Sequence, residues 1–132
     1  VIKSDMFGSI AKNIIDVNSL FTYTTFINLT NSIQQIETGF FNSMPFLRNI
    51  SNVFSLSLNL PATQDIFSYI VHQYINDVSY AFYFSSFVNQ INVPEFWNWP
   101  SVSKGTACYG SITPPPLNLK SIPVSFLDLE EL

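Results

Sequence analysis

Residues 53–60 read Val-Phe-Ser-Leu-Ser-Leu-Asn-Leu, and apolar side chains alternate with polar ones from Phe54 to Leu60. A period of two puts successive side chains on opposite faces of an extended chain, so this stretch predicts a half-buried β-strand. The alternative is a helix, whose apolar face would carry Leu47, Ile50, Phe54 and Leu58. The choice between the two structures decides the fold class.

Two further runs have the aromatic and Thr content of strands. Residues 21–30 alternate apolar side chains with Thr and Asn, and residues 78–88 are dense in Tyr and Phe. The second run lies within residues 62–93, which contain neither Gly nor Pro. That interval is either one long, mostly buried helix or a helix at 63–76 followed by a strand at 78–88. The aromatic density favours the second interpretation.

Helical spacing is clearest near the N-terminus. Residues 5–21 carry apolar side chains three and four positions apart, which predicts an amphipathic helix ending near Ser19. Residues 31–42 also have helical spacing, up to the break at Pro45. The first helix would dock on the core of its own domain or serve as an arm that reaches a neighbour.

These elements predict an α+β fold. It would have antiparallel strands, an N-terminal amphipathic helix and an extended Pro-rich C-terminal tail. A mainly α-helical fold is the alternative. Residues 1–93 would form one globular domain with a helical arm, and residues 94–132 a tail packed on that domain or on a partner. No internal repeat is evident in the sequence.

Charge is scarce in this chain. Five Lys and Arg and nine Asp and Glu give a formal net charge of −4, and charged residues make up 11% of the chain against 47% that are hydrophobic. Soluble domains are on average about a quarter charged, so we expect other subunits or lipid to cover much of this surface. Because Lys and Arg are few and scattered, we expect no direct binding to nucleic acid.

No set of residues predicts a reaction. Cys108 is the only cysteine and His72 the only histidine, and we expect a buried apolar side chain and a hydrogen-bonded structural histidine, respectively. Metal sites need several His, Cys or carboxylates together, and phosphate loops need glycine-rich runs. The chain is therefore predicted to be no enzyme, with no metal, cofactor or small-molecule substrate.

Apolar residues near both ends are candidates for contact with partners. Trp97 and Trp99 lie between Pro94 and Pro100, and Trp side chains often dominate the energy of an interface. The same rings would serve equally to close the chain's own core. The candidate interface residues are Phe7, Ile10, Ile14, Val17, Phe96, Trp97, Trp99, Pro114, Pro115, Pro116 and Phe126.

The strand-like runs at 21–30, 53–60 and 78–88 and the Pro-Pro-Pro sequence at 114–116, which leads into residues 121–129, carry a family resemblance. In these strand-like runs and this Pro-rich tail, the chain resembles capsid proteins of small icosahedral, picorna-like RNA viruses. The resemblance implies a jelly-roll sandwich in a virion, excision from a polyprotein and exchange of terminal arms. The first residue, Val1, fits an excised chain, whereas 132 residues is short for a full jelly roll.

The predicted function is that of a non-enzymatic structural subunit, which apolar burial joins to other protein subunits of one large assembly. One alternative is an accessory subunit of a membrane-embedded, mitochondrial complex, in contact with the membrane. Another is a secreted glycoprotein or binding module, which glycans on Asn28 or Asn49 would favour, because both residues begin glycosylation sequons.

Overall fold

The computed structural model describes residues 2–26, 28–29, 32–33, 36–37, 39–60, 67 and 73–127. Little of this described part of the chain is regular secondary structure. The 3₁₀ helices are Gly8–Asn13 (η1), Phe40–Ser43 (η2), Phe96–Asn98 (η3) and Leu119–Ser121 (η4). One α-helix spans Val124–Leu127 (α1), and Asn28–Leu29 (β1) pairs antiparallel with Ser32–Ile33 (β2).

Four ten-residue segments, which we call rungs, stack side by side in parallel. Rung 1 is residues 16–25, rung 2 is 49–58, rung 3 is 77–86 and rung 4 is 104–113. Parallel bridges join their first residues, which are Asp16, Asn49, Asp77 and Lys104. Consecutive rungs begin 33, 28 and 27 residues apart, so the chain winds into a short solenoid in which each coil contacts its neighbours.

Each rung is built from overlapping β-turns. In the turn of residues 50–53, the N–H of Val53 donates to the carbonyl of Ile50, and the third residue, Asn52, has a φ of 57°. A left-handed third residue is the signature of a type II turn. Positive φ recurs at the fourth and eighth positions of the rungs, at Ser19, Tyr23, Leu56, Tyr80, Phe84, Ala107 and Ser111.

The core contains a ladder of stacked aromatic rings, one from the sixth position of each rung. The ring centroids of Phe21, Phe54, Phe82 and Tyr109 follow one another at 5.4, 5.5 and 6.1 Å, with ring planes 6–13° apart. Phe126 of α1 continues the ladder, 6.1 Å from Tyr109. These aromatic side chains are the largest contribution of the rungs to apolar burial.

Aromatic and aliphatic residues outside the rungs close the other side of the core. Phe40 and Phe41 of η2 are fully buried, and the ring of Phe41 stacks 4.8 Å from Phe67. Phe67 in turn meets Phe96 of η3 edge-on at 5.3 Å. Phe67 and the rings of η2 and η3 therefore share one core with the rungs.

The structure contradicts the predicted α+β fold and its jelly-roll sandwich. Within the described residues no strand is longer than the two residues of β1 or β2. The strand-like runs form turns of rungs 1, 2 and 3 at residues 21–25, 53–58 and 78–86, and of the described residues of the first run only Asn28–Leu29 is a strand, β1. The rungs repeat in structure, although no internal repeat is evident in the sequence.

The mainly helical alternative is also wrong. The helix predicted at 5–21 is reduced to η1, and in the predicted helix at 31–42 the described residues form β2 and then the beginning of η2. Most of the predicted helix at 63–76 lies outside the described residues, and residues 73–93 contain no helix. The tail is not one extended arm, since it contains rung 4 and three short helices.

Candidate interaction surface

The eighth positions of the rungs form a line of side chains on the surface. We call Tyr23, Leu56, Phe84 and Ser111 the exposed row. Inter-rung hydrogen bonds hold neighbouring members together, from the N–H of Tyr23 to rung 2 at 3.1 Å and from that of Leu56 to rung 3 at 2.7 Å. Tyr23 is 75% exposed and Phe84 48%, whereas Leu56 is half-buried. The rings of Tyr23 and Phe84 thus face solvent at left-handed backbone positions.

Rung 3 adds a cluster of aromatic rings beside the exposed row. The rings of Tyr80 and Tyr83 meet edge-to-face at 5.4 Å, and those of Tyr83 and Phe84 at 4.9 Å. Edge-to-face pairs are a favourable arrangement of aromatic rings. These contacts support the ring of Phe84 from the side and leave about half of it open to a partner.

The rungs carry no charge beyond their first position. Asp16, Asp77 and Lys104 are their only charged residues, and residues 17–25, 50–58, 78–86 and 105–113 contain none. The polar side chains on this face are Ser, Thr, Asn and Tyr. Burying such a face requires little desolvation of ions, which is the main cost of covering a charged surface.

The interface candidates near the N-terminus are divided between core and surface. Val17 is buried in rung 1, and Phe7 and Ile14 are half-buried against the core. Ile10 in η1 is 61% exposed. Only one member of the predicted N-terminal stripe is therefore open to solvent.

The C-terminal candidates pack mainly on the chain itself. Phe96 is fully buried, and its ring lies 4.8 Å from the half-buried Trp99. Trp97 contacts Tyr109 at 5.7 Å and Phe126 at 6.3 Å. Pro114 is half-buried, Pro115 exposed and Pro116 buried. The structure brings Trp97 and Phe126 together but does not gather the candidates into one surface.

A hollow of about 440 Å³ lies beside rung 4. Its polar groups include the hydroxyls of Ser79, Ser103, Thr106 and Ser125 and the ammonium of Lys104, and its rings are Trp97 and Phe126. Gly105 also lines the hollow, and a Cβ there would collide with the ring of Phe126. Glycine thus allows α1 to approach rung 4.

Cys108 and Tyr109 are buried in rung 4. Burial raises the pKa of the Cys108 thiol well above its usual range, so the thiol stays protonated and a poor nucleophile near neutral pH. Burial also raises the pKa of Tyr109, whose hydroxyl accepts the N–H of Phe96 at 3.1 Å and donates to the carbonyl of Pro94. His72, the other residue considered for chemistry, lies outside the described residues.

Sequence reasoning missed the exposed row and the Tyr80–Phe84 cluster. The signal was present, because residues 78–88 stand out for aromatic density. A strand of that composition buries every second ring, however, and gives no reason to expect several exposed rings together. The turns of rung 3 are what place Tyr80, Tyr83 and Phe84 side by side.

Comparisons with known proteins identify no relative. No family model matches the chain, and no curated protein or solved structure is significantly similar to it. In the described part of the chain, no helix has the length and apolar character needed to cross a bilayer. The same residues contain no group of three or more His, Cys, Asp or Glu that is placed to hold a metal ion.

Proposed function

We propose that this protein is a non-enzymatic structural subunit that joins other protein subunits of one assembly through the exposed row. The observation that carries the proposal is the open ring of Phe84 on a face without charge. Because Phe84 is 48% exposed, covering the rest of its ring contributes about half of the roughly 1.5–3 kcal/mol that a fully exposed side chain would give. Leu56 of rung 2 and Tyr23 of rung 1 extend the apolar contact along the solenoid.

The simplest partner is a second copy of the chain. The net charge of −4 would oppose contact between copies, but the rungs carry no charged residue beyond their first positions. Apolar association is little screened by salt, whereas contacts between charges are screened. We therefore expect self-association that changes little with ionic strength. A role in a virus capsid stays a prediction that rests on the sequence resemblance, and its jelly-roll premise is wrong.

The test is a pair of double variants compared by sedimentation. Tyr23→Lys with Phe84→Lys places two charges on the exposed row. The matched control is Leu117→Lys with Val124→Lys, which changes side chains that are 62% and 69% exposed outside the rungs. We expect the wild type and the control to associate, and the row variant to be a folded monomer by sedimentation and circular dichroism.

Two results would contradict the proposal. One is a wild-type chain that stays monomeric at about 0.1 mM, a concentration at which any dimer with a micromolar Kd is formed. The other is a row variant that associates as strongly as the control. Dissociation of the wild type on raising NaCl from about 0.05 to 0.5 M would show that ion pairs hold the assembly.

A further inference from the structure

Hydrogen bonds between the rungs run in one direction over the first eight positions, whereas at the tenth position Leu58, Ser86 and Thr113 donate back to the preceding rung. N–H groups at positions 2, 4, 6 and 8 of one rung donate to carbonyls at positions 1, 3, 5 and 7 of the next. Between rungs 2 and 3, for example, Ile50 donates to Asp77 and Asn52 to Ser79, both at 3.0 Å. Each rung therefore has a donor side and an acceptor side, and the solenoid ends in two different edges.

The donor edge, on rung 4, is covered by the chain itself. The N–H of Ala107 donates to the carbonyl of Ser125 at 3.2 Å, and that of Tyr109 to the carbonyl of Phe126 at 2.8 Å. Helix α1 thus supplies the acceptors that a fifth rung would provide. Solenoids commonly carry such a terminal cap, which protects the last repeat.

The acceptor edge, on rung 1, has no comparable cover. We define it by the carbonyls of Asp16, Asn18 and Leu20, to which no backbone N–H of a described residue donates. Asp16 and Asn18 are exposed. Leu20 is half-buried, whereas Val53 at the equivalent position of rung 2 is fully buried. Among the described residues, rung 1 therefore lacks on this side the neighbour that every inner rung has.

From this asymmetry we infer that the acceptor edge binds a segment of another polypeptide, which adds to the solenoid as an extra rung. A row of backbone acceptors pairs with a row of N–H donors, as in strand addition to an open sheet edge. Two copies cannot pair through the carbonyls of Asp16, Asn18 and Leu20 about a two-fold axis, because both would present acceptors there. Nor can a second copy add end to end while its α1 covers its own donor edge.

The edge also specifies the side chains of its partner. The only charged group on rung 1 is the exposed carboxylate of Asp16, so a basic residue at the start of the segment would be favoured. An apolar side chain near the middle of the segment would be favoured, because it would pack on Leu20. This site consists of backbone carbonyls rather than the side chains of the exposed row, although Tyr23 belongs to the same rung, and it does not depend on the proposed function.

The chain contains a segment that meets these requirements. Residues 48–58 begin with Arg48 and supply donors to rung 3, whose first residue, Asp77, corresponds to Asp16. A synthetic peptide of residues 48–58, made soluble by a C-terminal oligoethylene glycol, is therefore the probe. It is titrated into the ¹³C,¹⁵N-labelled Y23K/F84K variant, whose exposed row is blocked, with the carbonyl ¹³C shifts followed by NMR.

The expected result is saturable binding that moves the carbonyl resonances of Asp16, Asn18 and Leu20 and leaves those of rung 3 unchanged. A control peptide with N-methyl groups at its Asn52 and Phe54 amides lacks two of the donors. It should bind roughly tenfold more weakly or worse, since two hydrogen bonds are lost.

Three outcomes would overturn the inference. They are no binding at millimolar peptide, equal affinity of the two peptides, and shifts confined to residues away from rung 1. A concentration-dependent shift at the acceptor edge without peptide would show that a second copy occupies the edge, and would equally overturn it. These outcomes can be interpreted even if the chain does not associate through the exposed row, because the titration uses the variant in which that row is blocked.

Discussion

Large side chains at left-handed backbone positions are the most unusual feature of this protein at the scale of single residues. Tyr23, Leu56, Tyr80 and Phe84 have φ between 54° and 58°, a region in which a Cβ costs roughly 1–2 kcal/mol. Glycine would avoid this cost, yet the rungs place Tyr, Leu or Phe there. At Tyr23 and Phe84 the strained position is also an exposed one.

The first prediction compares glycine with alanine at Tyr23. Both substitutions remove the exposed ring, but only glycine relieves the left-handed strain, so Tyr23→Gly should be more stable than Tyr23→Ala by about 1 kcal/mol. At Ile15, which is 51% exposed and has no positive φ, the order should reverse by about 0.5–1 kcal/mol. Urea unfolding of the four variants measures both differences. If the same substitution, glycine or alanine, were the more stable one at both sites, the idea that the backbone at Tyr23 is strained would be contradicted.

The second prediction concerns alkaline pH. Burial raises the pKa of Cys108 and of Tyr109 in the folded state. A raised pKa adds stability below the unfolded value, and this stability is lost as the pH rises through the folded one. Unfolding should become easier above roughly pH 8.5 because of Cys108, and again above roughly pH 10 because of Tyr109.

Cys108→Ala isolates the first of these steps. Alanine occupies the equivalent position of rung 3, at Ala81, so the fold should tolerate it at a cost of about 1 kcal/mol at pH 7. Between about pH 8.5 and 10 the variant should lose less stability than the wild type. Parallel unfolding curves over that interval would show that the thiol does not contribute to the pH dependence.

At the scale of the rung, one side-chain contact recurs at the first position. Asp16, Asn49 and Asp77 each accept the backbone N–H two residues ahead, at 2.8, 2.8 and 3.0 Å. This is an Asx-turn, which Asp and Asn form equally well. It fixes the chain as it enters each of the first three rungs, whereas rung 4 begins with Lys104.

The third prediction tests that contact at Asp77. Asp77→Ala removes the acceptor of the Ser79 N–H and should lower the free energy of unfolding by about 1 kcal/mol. Asp77→Asn keeps an acceptor oxygen, as Asn49 does in rung 2, and should cost less than half as much. Chemical denaturation measures both variants, and equal losses would indicate that the charge of Asp77 matters more than its hydrogen bond.

The rung also explains why sequence patterns misled. Its inward positions are 2, 5, 6 and 9, a spacing of about four that lies near the helical period of 3.6. Val17 and Phe21 of rung 1 fit this period, so the predicted helix was extended past the end of η1 into rung 1. The alternation from Phe54 to Leu60 does not separate a buried face from an exposed one. The polar residue Ser57 is buried, where its hydroxyl donates to the carbonyl of Phe21, and the apolar Leu58 is exposed.

Parts of the candidate surface were predictable and parts were not. Scarcity of charge was plain in the sequence, and the structure places every charged rung residue at a first position. The exposure of Phe84 could not be predicted from the sequence, because the type II turns at Tyr80 and Phe84 lack the Gly or Asn that usually marks such a turn. Trp97 stood out in the sequence, but it packs on Tyr109 and Phe126.

For the molecule as a whole, stability should come from apolar burial and backbone pairing rather than from ions. Charged residues are 11% of the chain, and exposed ion pairs each contribute at most about 1 kcal/mol. The core joins residues of all four rungs with η2 and η3. Loss of one rung should therefore weaken its neighbours, as in other solenoids.

The last prediction separates screening from burial by comparing two salts. Raising NaCl to about 1 M shortens the Debye length to roughly 3 Å and should leave the Tm nearly unchanged, because few charge interactions exist to be screened. Sodium sulfate at the same ionic strength should raise the Tm, since sulfate is excluded from the protein surface and strengthens apolar burial. Calorimetry or circular dichroism on the Y23K/F84K variant removes any contribution from association. A fall in Tm with NaCl, or no rise with sulfate, would show that charges hold this solenoid together.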